Sequence, residues 1–402
     1  MEIIARPHYI KELESWIDTD FIKVLTGVRR CGKSYLLLSL KKILLNRGVP
    51  KQNIISLNFE SPNTFKYHDS MTLYEYLTTI VPKEGKVYFL FDEIQEVHEW
   101  ERLINGLRVE FDSDIYVTGS NSRLLSGELA TYLTGRYVEI KVYPLSFKEY
   151  LVFKNQKRTA TDLMYPNYAE YGGFPGAVLQ PNDQQKLTVL SGIWDSILLK
   201  DVARRGNVKD IDLLERVALF LLDNIGNSVS TKKIADYITS SGRKVSPNTI
   251  ESYVSLLETS FLFYKTHRYD IRGKERLKLQ AKFYVVDQGF VISELKQSGS
   301  NKGHLLENLV YLELLHHGFE VFVGKYNDKE IDFIARKHKE TYYIQVTEQL
   351  PENDTRETDN LINLPTGYRK LIVTGDKRDV GFTDGIPIIH IQNFLLKDNW
   401  FE

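Results

Sequence analysis

Eight consecutive residues near the amino terminus have the types and spacing of a phosphate-binding loop. Residues 27–34 read Gly-Val-Arg-Arg-Cys-Gly-Lys-Ser, which fits the pattern GxxxxGK(S/T). Glycines let backbone N–H groups curl around the phosphates of a nucleotide, and the start of a following helix adds positive potential. In this pattern Lys33 bridges the terminal phosphates and Ser34 ligates Mg²⁺. The predicted nucleotide-binding residues are Gly27, Val28, Arg29, Arg30, Cys31, Gly32, Lys33, Ser34 and Tyr35.

Two adjacent acids follow a later apolar run, Val87-Tyr88-Phe89-Leu90-Phe91. Asp92 fits the Mg²⁺-water shell of a nucleotide hydrolase, and Glu93 fits the base that polarises the attacking water. An ordinary strand that ends in acidic cap residues is the alternative. The combination of the acids with the loop favours nucleotide hydrolysis over that alternative.

Three further residues are candidates for the same chemistry. Ser120 and Asn121 follow the run Ile115-Tyr116-Val117-Thr118, and either one could hold the attacking water in line; a plain strand-to-helix turn is the alternative. Arg136 could stabilise transition-state charge, from its own or a neighbouring subunit, and Arg29 and Arg30 are candidates for the same role. A surface salt bridge is the alternative for Arg136.

The elements that must carry these residues alternate between apolar runs and amphipathic stretches. Such alternation predicts an α/β domain over residues 1–150, with a parallel sheet wrapped by helices. Strands are expected at 21–26, 54–59, 87–91, 115–118 and 137–142. Helices are expected at 33–46, 73–80 and 96–111.

Three further segments follow this domain. Residues 151–207 are predicted to be a helical lid or linker, interrupted by a tight loop at Tyr171-Gly172-Gly173-Phe174-Pro175-Gly176. Residues 208–287 have the pattern of three short helices and a β-hairpin, which describes a winged helix. Residues 288–402 are predicted to be a mixed α/β domain.

The predicted hairpin carries a local excess of positive charge. The segment 265–282 has seven Lys or Arg residues and two acids, and Gly273 is expected at the tip. A wing of this kind can follow a phosphate backbone, so the candidate DNA contacts are Arg272, Lys274, Arg276 and Lys278. The preceding helix offers no arginine to read a guanine edge. The alternative is a solvated wing that only packs against the nucleotide-binding domain or a partner.

The ordered motifs resemble a family of AAA-type P-loop ATPases that is common in bacteria and archaea. The resemblance rests on the phosphate-binding loop and on Phe-Asp-Glu-Ile-Gln (91–95), Thr-Gly-Ser-Asn-Ser (118–122), Gly-Arg (135–136) and Pro-Leu-Ser-Phe-Lys-Glu-Tyr (144–150). In that family a Gly-Gly-Phe-Pro segment, 172–175 here, precedes a winged helix and a C-terminal domain of unassigned function. The resemblance covers essentially all of the chain and implies that the nucleotide is ATP.

Three polar residues of the last domain resemble the site of the restriction-endonuclease-like superfamily. That site combines a helix glutamate, a strand aspartate and a (Glu/Gln)-x-Lys motif on the next strand, and Glu307, Asp332 and Gln345 fit its first three positions. The resemblance implies that Asp332 and Gln345 hold Mg²⁺. Thr347 stands where the lysine is expected and cannot carry its charge. We therefore expect a degenerate binding domain, with a working nuclease or an unrelated α/β domain as alternatives.

Composition limits the class of protein and the compartment in which it is expected. The 402 residues include 52 Lys or Arg and 53 Asp or Glu, which argues against a protein that coats nucleic acid through bulk charge. A single cysteine, and no signal peptide or membrane-spanning run, predict a cytoplasmic protein without a membrane partner. The leading hypothesis is a Mg²⁺-dependent ATPase that couples nucleotide state to its appended domains. The alternatives are a nucleotide-gated DNA- or protein-binding switch with little turnover and, more weakly, an ATP-regulated DNA nuclease.

Overall fold

A computed structural model describes residues 3–125, 135–155, 161–273, 275–296, 302–327, 329–350, 356–365 and 367–400. The chain forms two compact units. The first contains Met1–Tyr143 and the short segment Thr259–Phe261, and the second contains Pro144–Glu258 and Leu262–Glu402. Among the described residues, no helix combines the length and the apolar character needed to cross a membrane.

The first unit contains five parallel strands flanked by helices. The strands are Ile22–Thr26 (β1), Ile54–Asn58 (β2), Val87–Asp92 (β3), Ser113–Gly119 (β4) and Tyr137–Lys141 (β5), in the order β2-β3-β4-β1-β5. The helices are Pro7–Ser15 (α1), Lys33–Asn46 (α2), Ser70–Ile80 (α3) and Trp100–Glu110 (α4). This arrangement confirms the predicted parallel α/β sheet.

Burial on both faces explains why these runs form a parallel sheet. Every residue of β1 and β3 is buried, as expected for strands covered by helices on both sides. Aromatic side chains such as Phe59, Phe89 and Phe91 fill the core between β3 and helices α3 and α4. Because all pairings are parallel, the loops after β1, β3 and β4 meet at the carboxyl edge of the sheet.

The second unit begins with helices. These are Phe147–Phe153 (α5), Thr161–Tyr171 (α6), Pro175–Val178 (α7) and Asp183–Ser196 (α8), and α8 continues as a π-helix over Ile197–Arg204. Helix α5 starts with a capping box between Ser146 and Glu149. The amide of Leu145 donates to the carbonyl of Gly173 at 2.7 Å, so the chain belongs to the second unit from Pro144, earlier than the predicted boundary at residue 150.

Three helices and a hairpin follow in the order predicted for a winged helix. The helices are Ile211–Asp223 (α9), Thr231–Ser240 (α10) and Pro247–Thr259 (α11), and the strands are Ser228–Val229 (β6), Phe263–Asp270 (β7) and Glu275–Val285 (β8). Serine side chains cap two of these helices: the hydroxyls of Ser230 and Ser246 accept the N–H groups of Lys233 and Thr249.

The hairpin is part of a nine-stranded sheet. The remaining elements are helices Gly289–Leu295 (α12), Lys302–His316 (α13), Arg356–Ile362 (α14) and Ile391–Leu396 (α15), and strands Glu320–Tyr326 (β9), Lys329–Lys337 (β10), Glu340–Thr347 (β11), Arg369–Thr374 (β12), Gly381–Thr383 (β13) and Ile386–His390 (β14). The strand order is β13-β14-β12-β11-β10-β9-β7-β8-β6. Strand β7 pairs in parallel with β9, which was not predicted. The predicted boundary at residue 287 therefore divides one continuous sheet.

The Gly-Gly-Phe-Pro segment forms the predicted tight loop, and it surrounds a buried carboxylate. The amides of Gly173 and Gly289 donate to Asp287 at 2.6 and 2.9 Å. Gly172 has φ +72°, and a Cβ there would overlap the Asp287 carboxylate. Burial raises the pKa of Asp287 to about 7, although its N–H donors oppose that shift. The loop and Asp287 therefore form one packed unit that only glycine at 172 permits.

Replacing Gly172 by alanine is expected to destabilise the second unit by about 3 kcal/mol or more, because both the backbone angle and the Asp287 contact become unfavourable. Gly242 offers a matched control, since its φ is +95° but a Cβ added there would meet nothing within 4 Å. Gly242→Ala should lose only about 1–2 kcal/mol. Chemical unfolding of the full chain measures both variants, and equal losses would contradict the predicted collision.

Candidate functional site

The phosphate-binding loop lies between β1 and α2 at the carboxyl edge of the first sheet. Gly27 has φ +148°, and a Cβ there would overlap the carbonyl oxygen of Val142. Val28 and Cys31 are buried, and burial raises the pKa of the Cys31 thiol. Tyr35 is 48% exposed on the first turn of α2. The predicted loop residues thus form one turn that ends at the amino terminus of a helix, the geometry that binds phosphate.

Lys33 and Ser34 face the acids that follow β3. The Lys33 Nζ donates to the carbonyl oxygens of Gly27 and Val28 at 2.8 and 3.0 Å. It also lies 4.0 Å from Glu93 Oε1. The Ser34 hydroxyl hydrogen-bonds to the Asp92 carboxylate. The structure therefore brings together the four residues predicted to bind phosphate, bind Mg²⁺ and orient water.

Thr118, at the end of β4, orders both acids. Its hydroxyl donates to Asp92 Oδ1 at 2.6 Å, and its oxygen accepts the N–H of Glu93 at 2.9 Å. Burial raises the pKa of Asp92, and the hydroxyls of Thr118 and Ser34 oppose this rise. Asp92 therefore remains in a hydrogen-bonded position from which it can contact a metal shell.

Glu93 is held by two neighbouring polar side chains. The Ser120 hydroxyl donates to Glu93 Oε2 at 3.2 Å, and the side-chain amide of Gln95 donates to the same oxygen. Glu93 has φ +54°, a left-handed conformation that is uncommon for a glutamate. Asn121, the other predicted water-positioning residue, is buried next to Ser120 in the chain. The predicted base and one predicted water-positioning residue are thus in direct contact.

A second network connects the acids to the loop through the end of β2. The Asn58 side chain donates to Asp92 Oδ2 at 2.7 Å and accepts the N–H of Glu60 at 2.9 Å. The Glu60 carboxylate in turn accepts a hydrogen bond from Arg29 at 2.7 Å. Arg29 is buried and engaged by Glu60, whereas Arg30 is exposed with φ +68°. Of these two candidate arginines, Arg30 is therefore the one that faces solvent.

Arg136 lies at the opposite edge of the sheet. It precedes β5, and its carbonyl accepts the N–H of Ile22 at the start of β1. Both strands are five residues long, so about 16 Å of sheet separates this edge from the phosphate-binding loop. The Arg136 side chain is exposed. An interaction of Arg136 with the nucleotide of its own subunit therefore does not fit the structure, and the role towards a neighbouring subunit and the surface salt bridge both stay predictions.

Arg6 supports the loop from the amino-terminal side. Its guanidinium donates to the carbonyl oxygens of Cys31 and Tyr143 at 2.9 and 3.0 Å, and it lies over the Tyr9 ring at 4.4 Å. The Tyr9 hydroxyl accepts the N–H of Tyr143 at 3.1 Å. Arg6 is 4% exposed, so it joins the loop, α1 and the chain after β5 at one buried point.

Four residues of the site are not among those predicted from the sequence: Arg6, Asn58, Gln95 and Thr118. Asn58 and Thr118 end β2 and β4, the two strands that flank β3. Polar residues at adjacent strand ends are a recognisable signal in a parallel sheet, so these two could have been found. No motif or spacing indicates Arg6, because its partners are carbonyl groups distant in sequence.

Replacing Thr118 by valine is expected to lower the stability of the first unit by about 2–3 kcal/mol, because a buried carboxylate and a buried N–H group lose their shared partner. The exposed Thr78 on α3 provides a control of the same substitution. Thr78→Val should change the free energy of unfolding by less than about 0.5 kcal/mol. Urea unfolding of the full chain tests this, and a Thr118→Val loss no larger than the control's would contradict it.

The predicted wing contacts are described in part. Arg272 is exposed beyond β7, and its guanidinium donates to the Asn327 side chain at 3.2 Å. Lys274 lies outside the described residues. Arg276 and Lys278 lie on the part of β8, residues 276–280, of which only the backbone is described. A DNA contact through these four residues stays a prediction.

Other cations of the same segment are buried or paired with acids. Lys282 is buried, and Arg268 pairs with Glu330 at 3.0 Å. Lys265 lies 4.0 Å from Glu258. The count of seven positive residues therefore overstates the charge that this segment presents to a partner.

The predicted nuclease-like residues lie on α13, β10 and β11. Glu307 and Asp332 belong to one buried cluster, and Gln345 is buried on the adjacent strand. Thr347 donates to the carbonyl of Gln349 at 2.9 Å. A lysine that was not predicted to be there, Lys282, lies between the carboxylates.

Comparison with known proteins agrees with the nucleotide-binding assignment. Residues 19–151 match the AAA domain family, and residues 163–301 match a domain of unknown function (DUF8612). An uncharacterized protein of Haemophilus influenzae is 47% identical over 401 residues, which are 98% of this chain and 99% of the relative. An uncharacterized protein of Methanocaldococcus jannaschii is 33% identical over 375 residues, which are 89% of this chain and 82% of the relative.

The fold is also found in solved structures. The Walker-type ATPase of Pyrococcus abyssi has a TM-score of 0.50 and 17% identity, with 72% of this chain and 95% of that chain covered. Its likeness shows the fold alone, and the AAA domain match over residues 19–151 supports a nucleotide-binding core. The names of these similar proteins and families mention neither a winged helix nor a nuclease-like domain, so both stay predictions.

Proposed function

Because this chain belongs to one family with the uncharacterized Haemophilus influenzae and Methanocaldococcus jannaschii proteins and carries an AAA domain over residues 19–151, we propose that it binds ATP with Mg²⁺ and hydrolyses it to ADP and phosphate. The observation that carries the proposal is the meeting of Lys33, Ser34, Asp92 and Glu93 at one edge of a parallel sheet. Each of these side chains has the chemistry that phosphoryl transfer to water requires.

Each residue of the site has its own role in the proposed reaction. The amides of the loop and the Lys33 ammonium bind the phosphates of ATP. Ser34 and Asp92 hold Mg²⁺, whose charge offsets that of the phosphates when it is bound. Glu93 accepts hydrogen bonds from Ser120 and Gln95, and it orients the attacking water and takes its proton. Arg136 acts on the nucleotide of a neighbouring subunit if the chain assembles.

The direct test measures phosphate release by the purified full-length chain over a series of ATP concentrations, with and without Mg²⁺. Saturable turnover that requires Mg²⁺ is expected. Absence of saturable ATP binding would overturn the proposal. The same experiment with GTP determines whether the site prefers ATP, a preference that rests on the family resemblance.

A second candidate function is a nucleotide-gated binding switch with little turnover, in which the predicted wing binds DNA. One observation favours it: the Asp270 carboxylate accepts the N–H groups of Arg272 and Gly273 at 2.9 and 3.0 Å, which shapes a turn that exposes Arg272. Slow ATP hydrolysis with tight nucleotide retention, together with salt-dependent DNA binding that falls in Arg272→Glu, would favour this function. DNA affinity that is insensitive to salt and to Arg272→Glu would exclude it.

A further inference from the structure

A lysine lies inside the cluster that resembles a nuclease metal site. The Lys282 Nζ is 3.0 Å from Glu330 Oε1, 3.3 Å from Glu307 Oε2 and 3.9 Å from Asp332 Oδ1. Only 6% of the Lys282 side chain is exposed. The ammonium therefore has three carboxylates around it and little access to water.

The strands that carry Lys282 and Asp332 pair irregularly with their neighbours. Lys282 lies on β8 opposite Thr266, and the β7–β8 register shifts directly after His267. The β9–β10 register shifts between Ile331 and Ile334, the stretch that contains Asp332. Such bulges re-aim side chains out of the regular alternation of a strand. Lys282 can thus reach acids that are distant both in sequence and in sheet order.

The carboxylate oxygens of the cluster already have partners. Glu307 Oε2 accepts hydrogen bonds from Lys282 and from the Tyr284 hydroxyl, the latter at 3.2 Å. Asp332 Oδ2 accepts the N–H of Val346 at 2.8 Å. Glu330 Oε2 accepts a hydrogen bond from Arg268 at 3.0 Å. A Mg²⁺ ion requires oxygens at about 2.0–2.1 Å in an octahedron, which these occupied groups do not provide.

The carboxylates also face cationic side chains of the chain itself, without a divalent ion. Three carboxylates face the ammonium of Lys282 and the guanidinium of Arg268, and His304 Nδ1 lies 3.7 Å from Glu307 Oε1. Burial alone would lower the pKa of Lys282, but Glu307, Asp332 and Glu330 outweigh that effect and raise it. Among the described residues, no group of three His, Cys, Asp or Glu side chains is arranged to hold a metal ion. The residues present therefore do not fit the Mg²⁺ that the nuclease resemblance implies.

We propose that the Lys282 ammonium takes the place of the divalent cation at this site, so that the cluster of Lys282, Glu307, Glu330 and Asp332 is a closed ion-pair core. In this role Lys282 joins β8 to α13 and β10 within the second unit. The site then binds no metal and supports no metal-dependent cleavage of DNA. This inference is independent of ATP hydrolysis by the first unit.

Mn²⁺ binding to the full-length chain without nucleotide tests the proposal, because paramagnetic resonance counts free Mn²⁺ directly. Wild type and Asp332→Asn are expected to bind the same number of Mn²⁺ ions. Lys282→Ala is expected to bind one more ion per chain, and the double variant Lys282→Ala/Asp332→Asn is expected to lose it. Lys265→Ala, which removes a partly exposed lysine from β7, is the matched control and should gain none.

Two results would overturn the proposal. The first is a Mn²⁺ ion bound by the wild type and lost in Asp332→Asn, or Mn²⁺-dependent nicking of plasmid DNA with the same loss. The second is a folded Lys282→Ala variant, with a cooperative unfolding transition like that of the wild type, that gains no Mn²⁺. If Lys282→Ala does not fold, Lys282→Met replaces it, and the comparison of wild type with Asp332→Asn decides independently of either variant.

Discussion

Glu93→Gln is expected to lower the rate of ATP hydrolysis by about 10²–10³-fold while the affinity for MgATP stays within a few-fold of the wild type. Glutamine keeps the size of the side chain and can still contact Ser120, but it cannot accept a proton from water. The variant should therefore lose the chemical step and keep the binding step. Steady-state phosphate release and equilibrium binding of ATP measure the two effects separately.

The contacts of Glu93 make this separation specific. Its Oε2 is bound by Ser120 and Gln95, while its Oε1 lies 4.0 Å from Lys33. The left-handed backbone at Glu93 directs the side chain from the end of β3, and the Thr118 hydroxyl fixes its N–H. Thr118 and Asp92 make the contacts that support the fold at this point. The Glu93 side chain is therefore placed for the chemistry beside Lys33 and the loop.

A suitable control is Glu99→Gln, which changes an exposed acid just before α4. Glu99 pairs at the surface with Arg102, at 3.3 Å. The turnover of this variant should equal that of the wild type. If Glu93→Gln hydrolyses ATP at the wild-type rate, Glu93 is not the base, and the mechanism proposed for this edge of the sheet fails.

The nucleotide site is predictable from sequence because its main parts are local. The loop at 27–34 joins one strand to one helix, and Asp92 and Glu93 lie at the end of a strand, so each motif carries its own structural context. The parallel pairing of β1, β3 and β4 then brings the motifs together without further information. What such patterns do not give is the choice of hydrogen-bond partners, as the contacts of Asn58 and Arg6 show.

The second unit is harder to predict because its important contacts are distant in sequence. Asp287 binds the amide of Gly173 across more than a hundred residues, and Lys282 reaches Glu307 and Asp332 through irregular strands. Counting charges in a window assigns Lys282 to a solvated wing, whereas the structure buries it. Strand β9 is hard to predict for a related reason: Glu320–Tyr326 alternates too weakly to indicate a strand by itself, and its place follows from its pairing with β7 and β10.

Arg136 shows how topology limits a role that sequence leaves open. Arg136 follows a glycine just before a strand, and an arginine at such a position is a candidate for stabilising transition-state charge. Parallel pairing of β5 with β1 places it at the amino edge, while the loop lies at the carboxyl edge. The direction of a strand, which a motif does not state, therefore argues against contact with the subunit's own nucleotide, while a role towards a neighbouring subunit stays a prediction.

Lys33→Met is expected to weaken MgATP binding by about 100-fold or more, since a charge-assisted contact to phosphate is worth about 3 kcal/mol. ATP turnover should fall below detection, because the same ammonium stabilises the transferring phosphoryl group. Methionine preserves most of the side-chain volume and removes the charge. The loop carbonyls of Gly27 and Val28 lose a donor, so the melting temperature without nucleotide should be measured alongside.

Lys42→Met is the matched control, because Lys42 is an exposed lysine on the same helix α2. It should bind MgATP as the wild type does, which separates an effect of the loop ammonium from a general change in helix charge. Titration with a fluorescent ATP analogue in the presence of Mg²⁺ measures all three proteins. Equal dissociation constants for wild type and a folded Lys33→Met would show that phosphate is not bound at this loop, because the Lys33 ammonium lies directly against the loop carbonyls and beside Glu93.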